Sequence, residues 1–507
     1  MSSLYIFSTL SHHDLFLGTT LLGACVILYW FLPFVYGLTI APTRKLPGPF
    51  LARITRWFEF HLVFRGDSNL TYIRLHEQFG PVVRMGPNRY SFSDPSDVKM
   101  IYELGGKSIK SRFYEPLLAS DPEKQNIFTM RDPIRHKDRR RKIANLYSMS
   151  TMVAYESAVD KMNSVCVSKL SQFAKEKRKI SLPDFMQYYA FDVIGEITFS
   201  KSFGMMENEG DSTGMIKGIH GANGYLAHAG IIPDIHPWFM RFQSLMGKSQ
   251  GANMLLEFTF NQLSRNRQAN AKEGNVSTSD SFLAKLMQLE SENRVTMPHI
   301  LDSCGSNIAA GSDTTAISLS SALFYLYSNA DKLAKLRDEI DTMAEKGLIS
   351  DPVTFQQAQT MPYLQAVIKE SLRIHPAVGT ILPRVAPQGG LKLAGTYIPE
   401  GTEVGANAWV LHYSKNIFGE DAAVYRPERW LEPKDENDVR ESMMFAFGGG
   451  SRSCLGKNIS LLEMTKVLPQ IVRKFDFNFD HTKAPNSYCA WFVYLKYVAE
   501  PRLRATK

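Results

Sequence analysis

Cysteine is scarce in this chain: five among 507 residues, at positions 25, 166, 304, 454 and 489, with no Cys-x-x-Cys pair. An odd number so widely spaced excludes a disulfide framework and places the folded part in a reducing compartment. Zinc-finger spacing and a repeated basic–aromatic stripe are both missing. Of the acidic partners that a net charge of +8 would attract, nucleic acid is therefore the weakest, behind anionic membrane and acidic protein. No Gly-Lys-Ser or Gly-Lys-Thr follows the glycines at 448–450, which removes a phosphate loop there. The chain shows no nicotinamide or flavin motif of its own. Repeats, low-complexity tracts and internal linkers are absent between residue 50 and the C-terminus. Length alone would suggest about three domains, but without linkers one large folded unit is expected. Sequons begin at Asn69, Asn275 and Asn458; a cytosolic fold would leave them unused.

Charge is also missing from Leu15 to Thr43, and Leu15–Tyr36 is rich in Leu, Ile, Phe and Trp. About 20 apolar residues span a bilayer as a helix. A cleaved signal peptide would need a basic region before a shorter apolar run. Here Asp14 precedes the run, and Arg44 and Lys45 follow it, which puts the C-terminal body in the cytosol. The expected layout is a lumenal N-terminus over 1–14, a single transmembrane anchor over 15–36, a proline-rich hinge over 37–50 and a catalytic body over 51–507. Pro47 and Pro49 stiffen the hinge by fixing φ.

In the body, residues 80–94 read as two short strands around a turn. Residues 136–330 carry mostly helical patterning, 391–404 reads as a hairpin, and Phe475–Asp480 alternates as a strand does. The fold class is mostly α, an α+β architecture of long helices with small sheets.

The densest signal is Phe447-Gly448-Gly449-Gly450-Ser451-Arg452-Ser453-Cys454-Leu455-Gly456. Consecutive glycines let a backbone approach a flat object or adopt φ > 0. An apolar helical pattern begins at Ile459, so the thiol lies near a helix N-terminus, which favours thiolate. Backbone N–H groups around Leu455 and Gly456 could point at the sulfur. Locally, a structural thiol beside a turn or a nucleophile with a distant base stays open.

Phe447-x-x-Gly450-x-Arg452-x-Cys454-x-Gly456 resembles the cysteine signature of the cytochrome P450 family, with five fixed residue types in ten positions. In that family a cysteine thiolate holds the haem iron and favours O–O cleavage. The resemblance implies Cys454 as the metal ligand of haem b. Phe447, Gly450, Arg452 and Gly456 would contact the cofactor, with Arg452 on a propionate. A run of small residues, Ser303 to Ala322, contains Ala310-Gly311-Ser312-Asp313-Thr314-Thr315. It looks like the family's oxygen-activating segment on a long central helix above the haem; tight helix packing is the bland alternative. A kink at Gly311 would open a groove, Thr314 would bond the oxygen, and Asp313 would relay protons. Glu370-x-x-Arg373, spaced i,i+3 on one helix face, and Arg429 of Pro427-Glu428-Arg429-Trp430 resemble the family's structural ion-pair lock. The family more often has Phe where Trp430 stands. His136 and Arg140 on a basic helix, and Arg384, resemble propionate partners. His136 stands where many members carry Trp.

The resemblance further implies an apolar small-molecule substrate beside Ala309, Ala310, Thr380 and Ile381, under a lid from Phe113 to Ile127. A separate NADPH-cytochrome P450 reductase would supply electrons, and the protein would sit in the endoplasmic reticulum membrane. The wording at Ala406-Asn407-Ala408-Trp409 and at 456–464 is similar to fungal members related to pisatin demethylase, which points to secondary-metabolite or detoxification chemistry. Relatives that run isomerase, dehydratase or peroxygenase chemistry often lack the acid–Thr pair; its presence weighs against that alternative.

Overall fold

A computed structural model of the chain describes residues 20, 35–37, 39–103, 108–119, 121–245, 252–273, 280–480 and 486–505. The expected anchor at 15–36 lies almost wholly outside these residues. Among the described residues no helix is long and apolar enough to cross a membrane. The hinge is laid down on the body: Pro42–Lys45 forms one 3₁₀ turn, and Arg84 holds it twice. The Arg84 backbone N–H donates to the Pro47 carbonyl at 2.8 Å, and its guanidinium donates to the Thr43 carbonyl at 2.7 Å.

Strands β1 (Val82–Gly86) and β2 (Arg89–Phe92) are the expected pair, joined by a tight turn. With β3 (Ile109–Lys110), β4 (Arg384–Val385) and β5 (Glu403–Gly405) they make a five-stranded sheet in the order β1-β2-β5-β4-β3. The hairpin expected over 391–404 divides: Leu391–Leu393 pairs with Thr396–Ile398, while β5 leaves it to join the larger sheet. Gly401, at φ +80, makes the turn between them.

The helices that matter for the site are α1 (Pro133–Ile143), α2 (Glu156–Glu176), α3 (Leu182–Phe199), α4 (Met215–Ala229), α5 (His236–Leu245), α6 (Met297–Tyr327), α7 (Pro362–Ile374) and α8 (Lys457–Lys474). Their starts follow from local chemistry. Asp132 caps α1 by accepting from the Ile134 and Arg135 amides, with Pro133 in the first turn. Thr296 and His299 form a reciprocal capping box on α6. One large apolar core joins α2, α3, α6 and α8 through fully buried residues such as Leu170, Ile194, Ile308, Leu323, Leu462 and Val467. Each contributes about 2 kcal/mol by leaving water. The strand Val493–Lys496 (β6) pairs with Asn486–Cys489 and reaches the side of α6.

The small-residue run resolves into two faces. Ser303, Cys304, Gly305, Ser312, Thr315 and Ala316 are buried, much of that surface against α3, where a Cβ on Gly311 would sit 3.4 Å from Ile194. Ala310 is exposed, and Gly311 and Thr314 are half-buried. Helix α6 runs without interruption through Gly311. The Thr314 hydroxyl bonds back to the Ala310 carbonyl at 2.8 Å, a contact of the kind that often bends a helix.

Candidate active site

Cys454 ends a short 3₁₀ turn, Gly450–Arg452, just before α8. Its backbone N–H donates to the Phe447 carbonyl at 2.8 Å, which closes the loop. Gly448 and Gly450 sit at φ +68 and +63, conformations that side chains disfavour. Gly450 is required twice, since a Cβ there would lie 1.7 Å from the Tyr102 carbonyl oxygen. That contact is with Tyr102 of the chain itself, so packing against the protein also dictates this glycine.

The Cys454 side chain is accessible, yet burial is the main influence on its thiol and pushes the pKa up. Together these place the sulfur on an inward-facing wall. The Gly456 and Lys457 amides and the Arg140 charge pull the pKa back. The backbone groups that lower it are those of Gly456 and Lys457, one residue further on than the expected Leu455 and Gly456. Among the described residues no group of three His, Cys, Asp or Glu could hold a metal ion. A metal at Cys454 would therefore need its remaining ligands from a bound group.

Beside the loop lies a cluster of cations. Arg384 is buried, with its guanidinium 4.9 Å above the Tyr102 ring. Arg452 donates to the Met130 carbonyl at 2.7 Å. Burial, and then Arg384, lower its pKa to about 10. His136 is buried, and its pKa falls to about 3 through burial and the charges of Arg452, Arg140, Lys110 and Arg384. Arg140 reaches Ser453 at 3.5 Å. The structure thus brings together all the expected basic residues, and adds Lys110, which the sequence did not reveal. Lys110 is buried directly opposite Arg384 in the β3–β4 pair. Its ammonium bonds the Phe128 carbonyl, and burial with Arg384, Arg452 and Arg140 holds its pKa well below the usual lysine range. Like charges facing each other across strands are destabilising. The set can hold a flat group that is anionic on one side.

Around α6, Thr314 and Asp313 diverge. The Asp313 carboxylate is fully buried. It accepts from the Gln187 amide at 2.6 Å, the Tyr494 hydroxyl at 2.8 Å and the Asn223 amide at 3.3 Å. His220 Nε2 stands 3.5 Å away. Thr314 bonds only its own helix among the described contacts. At the expected pocket, Ala309 is half-buried, but Thr380 is buried and Ile381 packs with Leu62, Tyr72 and Val410. Ile381 therefore cannot line an open site; Val378 and Leu382, half-buried, are the accessible positions of that segment. The lid segment carries Phe113 and Tyr114, packed on Trp491 at ring distances of 5.0 and 6.1 Å.

The expected lock is complete. Arg373 donates to Glu370 at 2.7 and 2.8 Å and Arg429 at 3.1 Å. Trp430, the departure from the commoner pattern, adds an indole N–H to Glu370 at 2.9 Å.

A family model described as Cytochrome P450 matches residues 47–500. A pisatin demethylase of Fusarium vanettenii is 44% identical over 95% of this chain and 94% of its own length. The monooxygenase cicH of Emericella nidulans is 35% identical over 88% of this chain and 91% of its own length. The monooxygenase gsfF of Penicillium aethiopicum is 33% identical over 88% and 90%.

Proposed function

From the premise that the chain belongs to the cytochrome P450 monooxygenase family, we propose that it oxidises an apolar natural product, removing a methyl group, with electrons that a separate reductase draws from NADPH. The observation that carries this reading is the accessible Cys454 thiol beside a buried cationic cluster of Lys110, Arg384 and His136, with Arg140 on the neighbouring Ser453. That donor set fits haem: one thiolate for the iron and cations for the propionates. Bound there, the haem supplies O₂ binding and O–O cleavage. The chain's own residues do the rest. Gly456 and Lys457 moderate the basicity of the sulfur through their N–H groups. Arg140, Arg384, Arg452, Lys110 and His136 orient the cofactor, and Phe447 and Gly450 shape the loop against it. Ala310 leaves room beside the helix, Thr314 offers a hydroxyl, and the Asp313 carboxylate is placed to take up a proton and pass it on. The relatives named as pisatin demethylases motivate the demethylation, and the other fungal relatives, named as monooxygenases, support the oxidation.

The reductase reading rests on α1, where Arg135, Lys137 and Arg141 face solvent. Arg139 turns inward to Asp302, at 3.4 Å, and leaves that surface. Membrane attachment, in the endoplasmic reticulum, rests on the apolar run at 15–36 and on exposed aromatics. Trp57 and Phe64 stand out from the N-terminal helix Trp57–Arg65, and Trp238 and Phe242 from α5. Arg56, bonded to the Ile231 carbonyl at 3.2 Å, ties the two regions together.

The test is turnover of pisatin by the full-length protein with NADPH, O₂ and a fungal reductase. For a methyl ether the balance is R–OCH₃ + O₂ + two electrons + two protons giving R–OH + formaldehyde + water. Formaldehyde released in step with NADPH use, and abolished without reductase, is expected. Product formed without NADPH or O₂ would contradict the reading and favour isomerase or peroxygenase chemistry.

A further inference from the structure

Asp313 is fully buried, yet it borders a pocket of about 340 Å³ on the side of α3, α4 and β6. Gln187, His220, Asn223, Tyr494 and Lys496 line the same pocket. His220 is half-buried and therefore in touch with solvent. Its ring lies 4.6 Å from the Tyr494 ring, which fixes its plane. Gln187 stands between the two titratable groups: its Nε2 lies 2.6 Å from Asp313 Oδ1 and 2.9 Å from His220 Nε2. An amide nitrogen has two N–H donors and no lone pair to accept with. In this arrangement Gln187 therefore donates to both, and His220 Nε2 is an unprotonated acceptor.

Protonation of His220 makes that geometry untenable. Both ring nitrogens then become donors, and the Gln187 amide faces a donor instead of an acceptor. Turning the amide presents Oε1 to the ring or frees His220 to meet Asp313, now 3.5 Å away. Histidine is the side chain that changes charge in the neutral range. The groups facing it are Asp184 and Gln187 on α3, Asn223 on its own helix, Asp313 on α6, and Tyr494 and Lys496 on β6. Asp313 is the only buried carboxylate among them.

We infer that His220 is the solvent-side proton inlet of Asp313 and that the Gln187 amide is its gate. A proton from water is taken by the imidazole. It passes from Nε2 to Asp313 Oδ1, leaving neutral imidazole and a neutral carboxyl. One proton moves inward and no electron is transferred. The inference rests on the monooxygenase reading, in which the reaction consumes protons, and it makes His220 a positioning and relay residue that never touches substrate.

Two measurements on the full chain test it. The first follows the side-chain amide of Gln187 by ¹⁵N-glutamine labelling, assigned with Gln187→Asn, and needs no turnover. In the native protein its signals move with pH as the imidazole gains its proton; in His220→Gln they stay fixed. The second uses haem-loaded protein with reductase and pisatin. His220→Gln keeps a neutral polar side chain but cannot carry the proton. Its product rate falls about a hundredfold, its solvent isotope effect rises, and more peroxide is released per NADPH, while the reduced CO spectrum is unchanged. Gln187 signals flat with pH in the native protein, or a variant with native isotope effect and product-to-peroxide ratio, would overturn the inlet. If the native protein binds haem but turns over nothing, the functional reading fails and the amide titration alone decides the gate.

Discussion

Glu370 accepts five hydrogen bonds inside the protein, from Arg373 twice, Arg429, Trp430 and the Arg426 backbone. None of the Glu370, Arg373 and Arg429 side chains is exposed. The two guanidiniums also donate to carbonyls of residues 412–424, so the lock pins the segment leading to the cysteine loop. Breaking a buried pair by removing one partner costs about 3–5 kcal/mol, because the other charges stay buried. Glu370→Gln is therefore expected to lower the melting temperature sharply and to abolish haem retention. Trp430→Phe, which loses one donor to a charged acceptor, is expected to cost about 2 kcal/mol. Thermal denaturation of both variants checks the ranking; equal losses would contradict it. The spacing of Glu370 and Arg373 was legible in the sequence because i,i+3 residues share a helix face. The indole contact was not, since nothing local tells an indole N–H where its acceptor will be. Lys110 was illegible for a similar reason. Its partner across the strands, Arg384, is 274 residues away, and only the register sets the two cations face to face.

At the level of elements, His412 couples α7 to the cysteine loop. Its Nδ1 meets the Arg373 carbonyl at 2.9 Å and its Nε2 accepts from the Phe445 amide at 2.8 Å. The ring is thus neutral, with its proton on Nδ1. Burial, and then the Arg373 charge, lower its pKa from 6.5 to about 3. The sign follows: the unfolded chain binds the proton first, so the stabilisation is complete above pH 6.5 and is lost as pH falls towards 3. The full span is on the order of 5 kcal/mol. Acid denaturation followed by haem release should shift to higher pH in the native protein than in His412→Gln. Identical acid limbs would contradict this. Among the elements themselves, the β1–β2 turn and the strand from Phe475 were readable, because alternation and turn residues are local. The split of the 391–404 hairpin was not, because β5 is drawn away by pairing with β2 and β4. Gly311 marked a local weakness in α6 by propensity; the assembled helix is continuous there and turns that position toward Ile194.

Across the whole molecule, one large apolar core joins α2, α3, α6 and α8. The fold class and the family were both legible, since the signature residues lie in short motifs whose order along the chain is itself informative. The electrostatic logic was legible only in part: the arginines stood in motifs, but their convergence with Lys110 and His136 into one buried cluster is a property of the assembled chain. The Asp313 network drew on α3, α4 and β6, and no local pattern foretold its members. Haem binding at this site depends on the sulfur of Cys454. The most direct measurement is the reduced, CO-bound difference spectrum of the full-length protein beside Cys454→Ala. The predicted result is a strongly red-shifted Soret band in the native protein that the variant lacks. Well-folded native protein without haem, or a band unchanged in the variant, would contradict thiolate ligation at this residue.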